Sequence, residues 1–326
     1  MTNARQVLAM IRSHAAGDTQ QFLSIAEHIA AEADRTGRTK VAGEIREMVE
    51  GVRRRLVEGR SGGPIPIVAP RGELAGLVRA SFPDTYLADL VLGDDLRHRV
   101  RRLVREHRES AVLRENGLEP RRKFLFSGPP GTGKSMTAAA VAGELGLPLF
   151  SILLDGVITK FMGETASKLR LVFDAMHTAR GVYFFDEVDA LASRRGAEND
   201  IGEARRMLNS FLQFLEEDRS SSVIIAATNH RSLLDPAIFR RFDSAFVYAK
   251  PTVVEARQVL RNHLLQFDLD AFDWGIVDEA TPGLSQADLV AAAADAARDA
   301  VLDDSCVLRA EVLCRSLRDR SSIHDH

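Results

Sequence analysis

Five short apolar runs, separated by segments long enough to form helices, constrain the fold of this chain more than any other feature. The runs occupy residues 124–126, 149–154, 182–185, 223–227 and 245–248. Strands that alternate with helices pair in parallel, and helices cover both faces of a parallel sheet, so each strand is apolar along its whole length. The pattern therefore predicts an α/β domain built on a five-stranded parallel sheet.

The segments on either side of this domain lack strand patterns. Residues 1–57 carry three apolar stripes with spacings of three and four, which predicts a small N-terminal helical bundle. Residues 58–75 are rich in glycine and proline, which is typical of a linker. After Pro251, capping-box spacings that begin at Thr252 and Ser285 predict a helical C-terminal domain. The expected order is bundle 1–57, linker 58–86, α/β domain 87–250, helical domain 251–320 and frayed tail 321–326.

Composition excludes several classes of protein. Hydrophobic residues make up 45% of the 326 residues and charged residues 27%, a balance typical of globular chains. No apolar run approaches the roughly 18 residues needed to cross a bilayer, and no secretory signal is evident, so we expect a cytoplasmic protein without a membrane partner. The net charge of −3 argues against a surface built to bind nucleic-acid phosphates, so no nucleic-acid partner is expected.

A glycine-rich loop directly follows the first apolar run. It satisfies the spacing G-x-x-x-x-G-K-[ST] between a strand and a helix, and with the next residue it reads Gly128, Pro129, Pro130, Gly131, Thr132, Gly133, Lys134, Ser135 and Met136. Glycines let successive backbone N–H groups face inward, and the helix N-terminus adds positive potential, so such a loop holds a polyphosphate. We expect Lys134 to reach the β- and γ-phosphates and Ser135 to bind Mg²⁺.

Two acidic residues directly follow the apolar run at 182–185. Asp186 and Glu187 are expected at the carboxyl edge of the sheet, where Asp186 lies beside the Mg²⁺ held by Ser135. Glu187 can then act as the base for a water that attacks the γ-phosphate. The chain has no Asn/Thr-Lys-x-Asp sequence that would read guanine, so ATP is the expected nucleotide.

Four motifs in this order resemble the AAA family of ATPases, within the AAA+ class, over residues 87–317. They are GPPGTGKS at 128–135, FFDEVDAL at 184–191, AATN at 226–229 and LDPAIFRRFD at 234–243. The resemblance implies a P-loop NTPase core with a helical lid, ATP and Mg²⁺ as ligands, and a homo-oligomeric ring, expected to be a hexamer. It also implies that Asn229 senses the γ-phosphate.

The same resemblance implies an arginine finger, a guanidinium that reaches the nucleotide of a neighbouring subunit. Arg240 and Arg241 both match this region. Many family members read R-P-G-R-F-D here, and this chain lacks two of those residues. The choice between the two arginines therefore stays open at the level of sequence.

The resemblance also implies a loop that lines a central channel and grips the substrate. The matching residues are Lys160, Phe161, Met162 and Gly163. A flat apolar side chain can grip an extended polypeptide of any sequence by contact area. By position, residues 193–203 match a second channel loop. Residues 283–289 resemble the stretch that closes over the base, without the arginine that many AAA+ proteins place there, and residues 89–92 match the segment whose backbone contacts adenine.

The expected function is ATP hydrolysis coupled to remodelling, unfolding or threading of a protein substrate through a central pore. The N-terminal bundle would recruit the substrate or an adaptor. Two alternatives remain open: a nucleic-acid-associated AAA+ machine, and a nucleotide-gated scaffold that recruits a partner such as a protease. The chain has no HExxH metalloprotease motif, so degradation by that chemistry would need a separate protease partner.

Overall fold

The computed structural model describes residues 72–157, 164–191, 198–230, 236–269, 272–303 and 307–324, together with Ile25, Ala26, Ala30 and Gly43. The chain divides into two compact units, 1–67 and 68–326. All strands and helices named below belong to the second unit. Apart from those four residues, the expected N-terminal bundle lies outside the described residues and stays a prediction.

Six strands form a single sheet in the order β1-β3-β4-β5-β2-β6. Their bounds are β1 Val78–Ser81, β2 Lys123–Ser127, β3 Leu149–Ile152, β4 Val182–Phe185, β5 Val223–Thr228 and β6 Ser244–Val247. Strands β2 to β6 are parallel to their neighbours, whereas β1 runs antiparallel to β3 at one edge. The α/β fold predicted from the sequence is confirmed, with one additional strand.

The additional strand, β1, lies within the stretch 58–86 that was expected to be a linker. A 3₁₀ turn at Gly72–Gly76 leads into it. Only Val78 of its four residues is buried, so the sequence VRAS carries no strand pattern. Pairing with β3, rather than local sequence, decides that this segment is extended.

Eleven helices occur in the described stretches of residues 72–324. They are α1 Asp94–Arg108, α2 Ser110–Glu115, α3 Lys134–Leu145, α4 Leu154–Val157, α5 Glu164–Thr178, α6 Glu198–Glu217, α7 Pro236–Phe239, α8 Val253–His263, α9 Trp274–Glu279, α10 Gln286–Leu302 and α11 Ala310–His324. Thr252 and Ser285 are the N-caps of α8 and α10, as the spacings predicted. Helix α11 extends to His324, into the stretch expected to be frayed. None of the described helices has the length and hydropathy to cross a membrane.

The sheet has an apolar core on each face, and the helical domain has a third. Phe124 and Phe126 pack on the face covered by α1 and α3, whereas Leu125 between them packs on the face covered by α5 and α6. This alternation buries every residue of β2. Helices α8 to α11 enclose a separate core that includes Leu260 and Leu289. The sheet therefore holds the carboxyl ends of β4, β5 and β2 side by side.

Candidate nucleotide-binding site

The glycine-rich loop connects the carboxyl end of β2 to the start of α3. Gly131 has a φ of 71°, a left-handed conformation that favours glycine. A Cβ atom on Gly131 would lie 2.5 Å from Ser285 Oγ, and one on Gly128 would lie 2.2 Å from the Tyr248 carbonyl oxygen. These two glycines therefore allow the loop backbone to approach its neighbours closely. We call residues 128–135 the phosphate loop.

Lys134 lies across the phosphate loop. Its Nζ atom donates hydrogen bonds of 2.8 Å to the carbonyl oxygens of both Gly128 and Pro129, and its side chain is buried. Burial lowers the pKa of the Lys134 ammonium, while nearby carboxylates, first that of Asp186, act in the opposite direction. The cation is thus held over the loop by weak acceptors, which phosphate oxygens can replace with stronger charge-assisted bonds.

Ser135 and Asp186 meet where the phosphate loop faces the end of β4. Ser135 Oγ donates to Asp186 Oδ2 over 3.1 Å. Mg²⁺ in nucleotide sites is bound by one or two protein oxygens together with phosphate oxygens and water. A hydroxyl and a carboxylate beside a phosphate loop fit that donor set.

Glu187, the next residue, has an unusual backbone conformation. It is the only non-glycine residue of the described chain with a positive φ, 51°. Its backbone N–H donates to Asp186 Oδ1 over 2.9 Å, which helps to fix the turn. The turn leaves Glu187 exposed while Asp186 is half-buried. Two consecutive acids therefore occupy different environments, which suits different chemical roles.

Asn229 follows β5, the strand between β4 and β2. Its backbone N–H donates to Asp189 Oδ1 over 3.3 Å. Asp189 is a buried carboxylate that was not among the site residues predicted from the sequence. It lies in the 3₁₀ turn Val188–Leu191, so it links the ends of β4 and β5. In the sequence, Asp189 could be noticed only because it lies three residues after Asp186. That spacing does not show whether its side chain is buried or exposed.

The two arginines lie elsewhere, in the segment between α7 and β6. Both are exposed. Arg241 Nη1 forms an ion pair of 2.6 Å with Glu216 Oε1 at the end of α6. Asp243 Oδ2 accepts bonds from the backbone N–H groups of Arg122 and Lys123, so this segment lies at the amino edge of the sheet.

The structure therefore brings together the phosphate loop, Asp186, Glu187 and Asn229 at the carboxyl edge, and it places the two arginines at the opposite edge. Met136 is exposed in the first turn of α3. The expected channel-loop residues Lys160, Phe161, Met162 and Gly163 lie outside the described residues and stay predictions.

Comparison with known proteins identifies relatives of this chain. The family model described as "ATPase family associated with various cellular activities (AAA)" matches residues 124–249. The chain is 31% identical to the "Uncharacterized AAA family ATPase y4kL" of Sinorhizobium fredii, over 94% of this chain and 92% of that protein. It is also 35% identical to the ATP-dependent zinc metalloprotease FtsH of Buchnera aphidicola over 63% of this chain. That match spans only 35% of FtsH.

A solved structure has a similar fold. The crystal structure of the FIGL-1 AAA domain aligns with a TM-score of 0.60 and 23% identity, over 74% of this chain and 85% of that domain. At this identity the likeness supports the fold and not a shared substrate.

Proposed function

The chain belongs to the AAA family of ATPases, and from this premise we propose that it hydrolyses ATP in a homo-oligomeric ring, a hexamer, that remodels a protein substrate. The observation that carries the proposal is the 3.1 Å contact between Ser135 Oγ and Asp186 Oδ2 beside a phosphate loop spanned by Lys134. That arrangement joins a polyphosphate cradle to oxygen ligands for Mg²⁺.

Each residue then has a separate task in hydrolysis. The backbone of residues 128–134 and the Lys134 ammonium would bind the phosphates. Ser135 and Asp186 would hold Mg²⁺, which would supply positive charge to the phosphate oxygens. Glu187 accepts a proton from the attacking water. Asn229, at the end of the neighbouring strand, orients that water.

The position of the arginines supports an oligomer. They lie at the amino edge of the sheet, whereas the phosphate loop lies at the carboxyl edge. Strand β2, which separates the two edges, has five residues and is therefore about 16 Å long. An arginine at the amino edge is better placed for the nucleotide of an adjacent copy than for that of its own chain, so we assign the finger role in trans to Arg240 or Arg241.

A protein substrate is the third part of the proposal. The FtsH relatives are proteases by name, which favours a polypeptide over a nucleic acid as the substrate of the shared ATPase region. Phe161, in the proposed channel loop, would grip it. We also propose a cytoplasmic location, recruitment of the substrate through residues 1–57 and a separate protease partner. A nucleotide-gated scaffold is the second candidate function.

A trapping experiment tests this function. Tagged Glu187→Gln, purified with ATP and Mg²⁺, is expected to bind ATP without turning it over and to retain a protein client, while Glu187→Gln combined with Phe161→Ala loses the client. Glu115→Gln, an exposed acid on α2, is the matched control and retains wild-type turnover. Retention of nucleic acid without a protein would favour the nucleic-acid alternative, and a client retained without Phe161 would favour the scaffold.

A further inference from the structure

Tyr248, the residue that follows β6, lies against the start of the phosphate loop. Its backbone N–H donates to the Ser127 carbonyl oxygen over 2.7 Å, which extends the pairing of β6 with β2 by one residue. A Cβ atom on Gly128 would lie 2.2 Å from the Tyr248 carbonyl oxygen, so only glycine allows the two backbones to lie this close. The Tyr248 backbone therefore helps to fix the point at which the phosphate loop leaves β2.

The side chain of Tyr248 packs in the core on the face of the sheet that α1 and α3 cover. Its ring centroid lies 5.3 Å from that of Phe126, and only 2% of the residue is exposed. Its hydroxyl group is buried and has no hydrogen-bond partner among the described residues. A buried hydroxyl without a partner destabilises a folded chain, whereas phenylalanine would fill the same place without that cost.

Thr137, in the first turn of α3, is the polar side chain near this hydroxyl. Burial raises the pKa of Tyr248, and the Thr137 side chain opposes that rise, although the two hydroxyls form no hydrogen bond. Thr137 Oγ1 donates to the Gly133 carbonyl oxygen over 2.9 Å. A hydroxyl that donates one hydrogen bond can still accept another, so Thr137 Oγ1 is an available acceptor for Tyr248.

The bonds of Lys134 explain when this acceptor would be used. Lys134 Nζ donates to the carbonyl oxygens of Gly128 and Pro129, so these bonds must break before the ammonium can bind phosphate oxygens. Gly128 lies against the Tyr248 backbone, and Lys134 begins the helical turn that contains Thr137. Binding of phosphates therefore changes the bonding of the phosphate loop at both places that adjoin Tyr248.

We propose that Tyr248 is a positioning residue whose hydroxyl donates to Thr137 Oγ1 when a polyphosphate occupies the phosphate loop. The inference deepens the proposed function and rests on the proposed nucleotide binding. The resulting chain of bonds, from Tyr248 through Thr137 to the Gly133 carbonyl oxygen, holds the first turn of α3 in its bound arrangement, and bonds in such a chain strengthen one another. The hydroxyl is unpaired in the free protein and paired in the complex, so it favours the complex.

Tyr248→Phe tests this inference, because it removes the hydroxyl and keeps the ring. In the full chain without nucleotide, we expect Tm to rise by about 2 to 4 °C, since an unpaired buried hydroxyl is removed. With Mg²⁺, the Kd for ATP and the Kd for inorganic tripolyphosphate should both rise ~2- to 10-fold, the equivalent of one hydrogen bond. KM for ATP should rise in the same proportion with kcat unaffected, because Tyr248 is buried in the core and does not reach the reacting phosphate.

Tyr183→Phe is the matched control. Tyr183 is buried in β4, and its hydroxyl donates to the Ala179 carbonyl oxygen over 2.9 Å. Loss of this bond should lower Tm by about 2 to 4 °C and change neither Kd. The same chemical change at the two tyrosines should therefore shift Tm in opposite directions, and only the change at Tyr248 should weaken binding.

A double variant tests whether Tyr248 acts through Thr137. Thr137→Val keeps the shape of the side chain and removes the acceptor, so it should weaken the binding of both ligands. Adding Tyr248→Phe to Thr137→Val should weaken binding no further, because the two residues share one interaction. If Thr137→Val does not fold, the Tm and the Kd values of Tyr248→Phe decide alone.

Three outcomes would overturn the inference. One is a Tm of nucleotide-free Tyr248→Phe at or below that of the wild type, since the hydroxyl would then already be paired in the free protein. Another is an unchanged Kd for tripolyphosphate in Tyr248→Phe. The third is a loss in the double variant equal to the sum of the two single losses. Failure of the wild-type chain to bind ATP would contradict the proposed function itself, and the two failures are therefore distinguishable.

Discussion

At the scale of single residues, the candidate site depends on how consecutive acids are separated. Asp186 and Glu187 are adjacent in sequence, yet only Asp186 contacts Ser135. The positive φ of Glu187 produces this separation. Such a conformation is unfavourable for a residue with a Cβ atom, and it persists where the surrounding structure imposes it, often at functional sites.

The strain at Glu187 predicts a difference between two amide substitutions. Glu187→Gln and Glu187→Asn both remove the proposed base, so each should lose on the order of 10²- to 10⁴-fold in ATP turnover. Asparagine adopts the left-handed conformation more readily than glutamine, so Glu187→Asn should be more stable by about 1 kcal/mol. Denaturant unfolding of the two variants measures the difference. Equal stabilities would show that the backbone at this position is not strained.

At the scale of elements, helix α3 is positioned by a close approach at each end. Its N-terminus follows the phosphate loop, and its last turns lie on the segment 83–85. A Cβ atom on Gly143 would come within 2.2 Å of the Thr85 carbonyl oxygen. The backbone N–H of Leu87 also bonds to Glu144 Oε1 over 3.2 Å. The glycine therefore lets the last turns of the helix lie directly on this segment.

Gly143→Ala should consequently destabilise the protein although alanine favours helix formation. Helix propensity alone would stabilise the variant by about 1 kcal/mol, whereas overpacking against a backbone carbonyl costs about 1 to 3 kcal/mol and shifts the helix. We expect a lower free energy of unfolding in denaturant titrations.

Gly76→Ala is the matched control for this change. A Cβ atom on Gly76 would meet nothing within 4 Å, so the substitution should be neutral within about 0.5 kcal/mol. A neutral Gly143→Ala would mean that α3 does not need the close approach at this position.

At the scale of the whole molecule, the two edges of the sheet carry different parts of the proposed chemistry. The phosphate loop, Asp186 and Asn229 lie at the carboxyl edge, and the arginines lie at the amino edge. Arg241 is paired with Glu216 through an exposed contact, and such pairs contribute little to stability. A neighbouring copy could therefore recruit either arginine at small cost.

Mixing two inactive variants tests whether the arginines act between copies. Glu187→Gln keeps both arginines, and the double substitution of Arg240 and Arg241 by Ala keeps Glu187, so each alone should lack turnover. In rings assembled from equal amounts of both, about a quarter of the sites pair an intact Glu187 with intact arginines from a neighbour, and activity should return to that level. No recovery in rings that sedimentation shows to be mixed would contradict action in trans.

The sequence by itself determined the five parallel strands, the phosphate loop and the acids Asp186 and Glu187. These features are local, because each apolar run or motif is read within about ten consecutive residues. The sequence did not reveal β1, because only one of its four residues is buried and so short a segment does not show the apolar pattern of a strand. It also did not single out the buried carboxylate of Asp189.

Only the tertiary structure decided those points. Asp189 accepts a hydrogen bond from Asn229 because β4 and β5 are neighbours in the sheet. Gln286 donates to the Val91 carbonyl oxygen because α10 packs on a segment nearly 200 positions earlier in the chain. Contacts of this kind arise from the order of strands and the docking of helices. That order is set by burial summed over the whole chain, which no local pattern records.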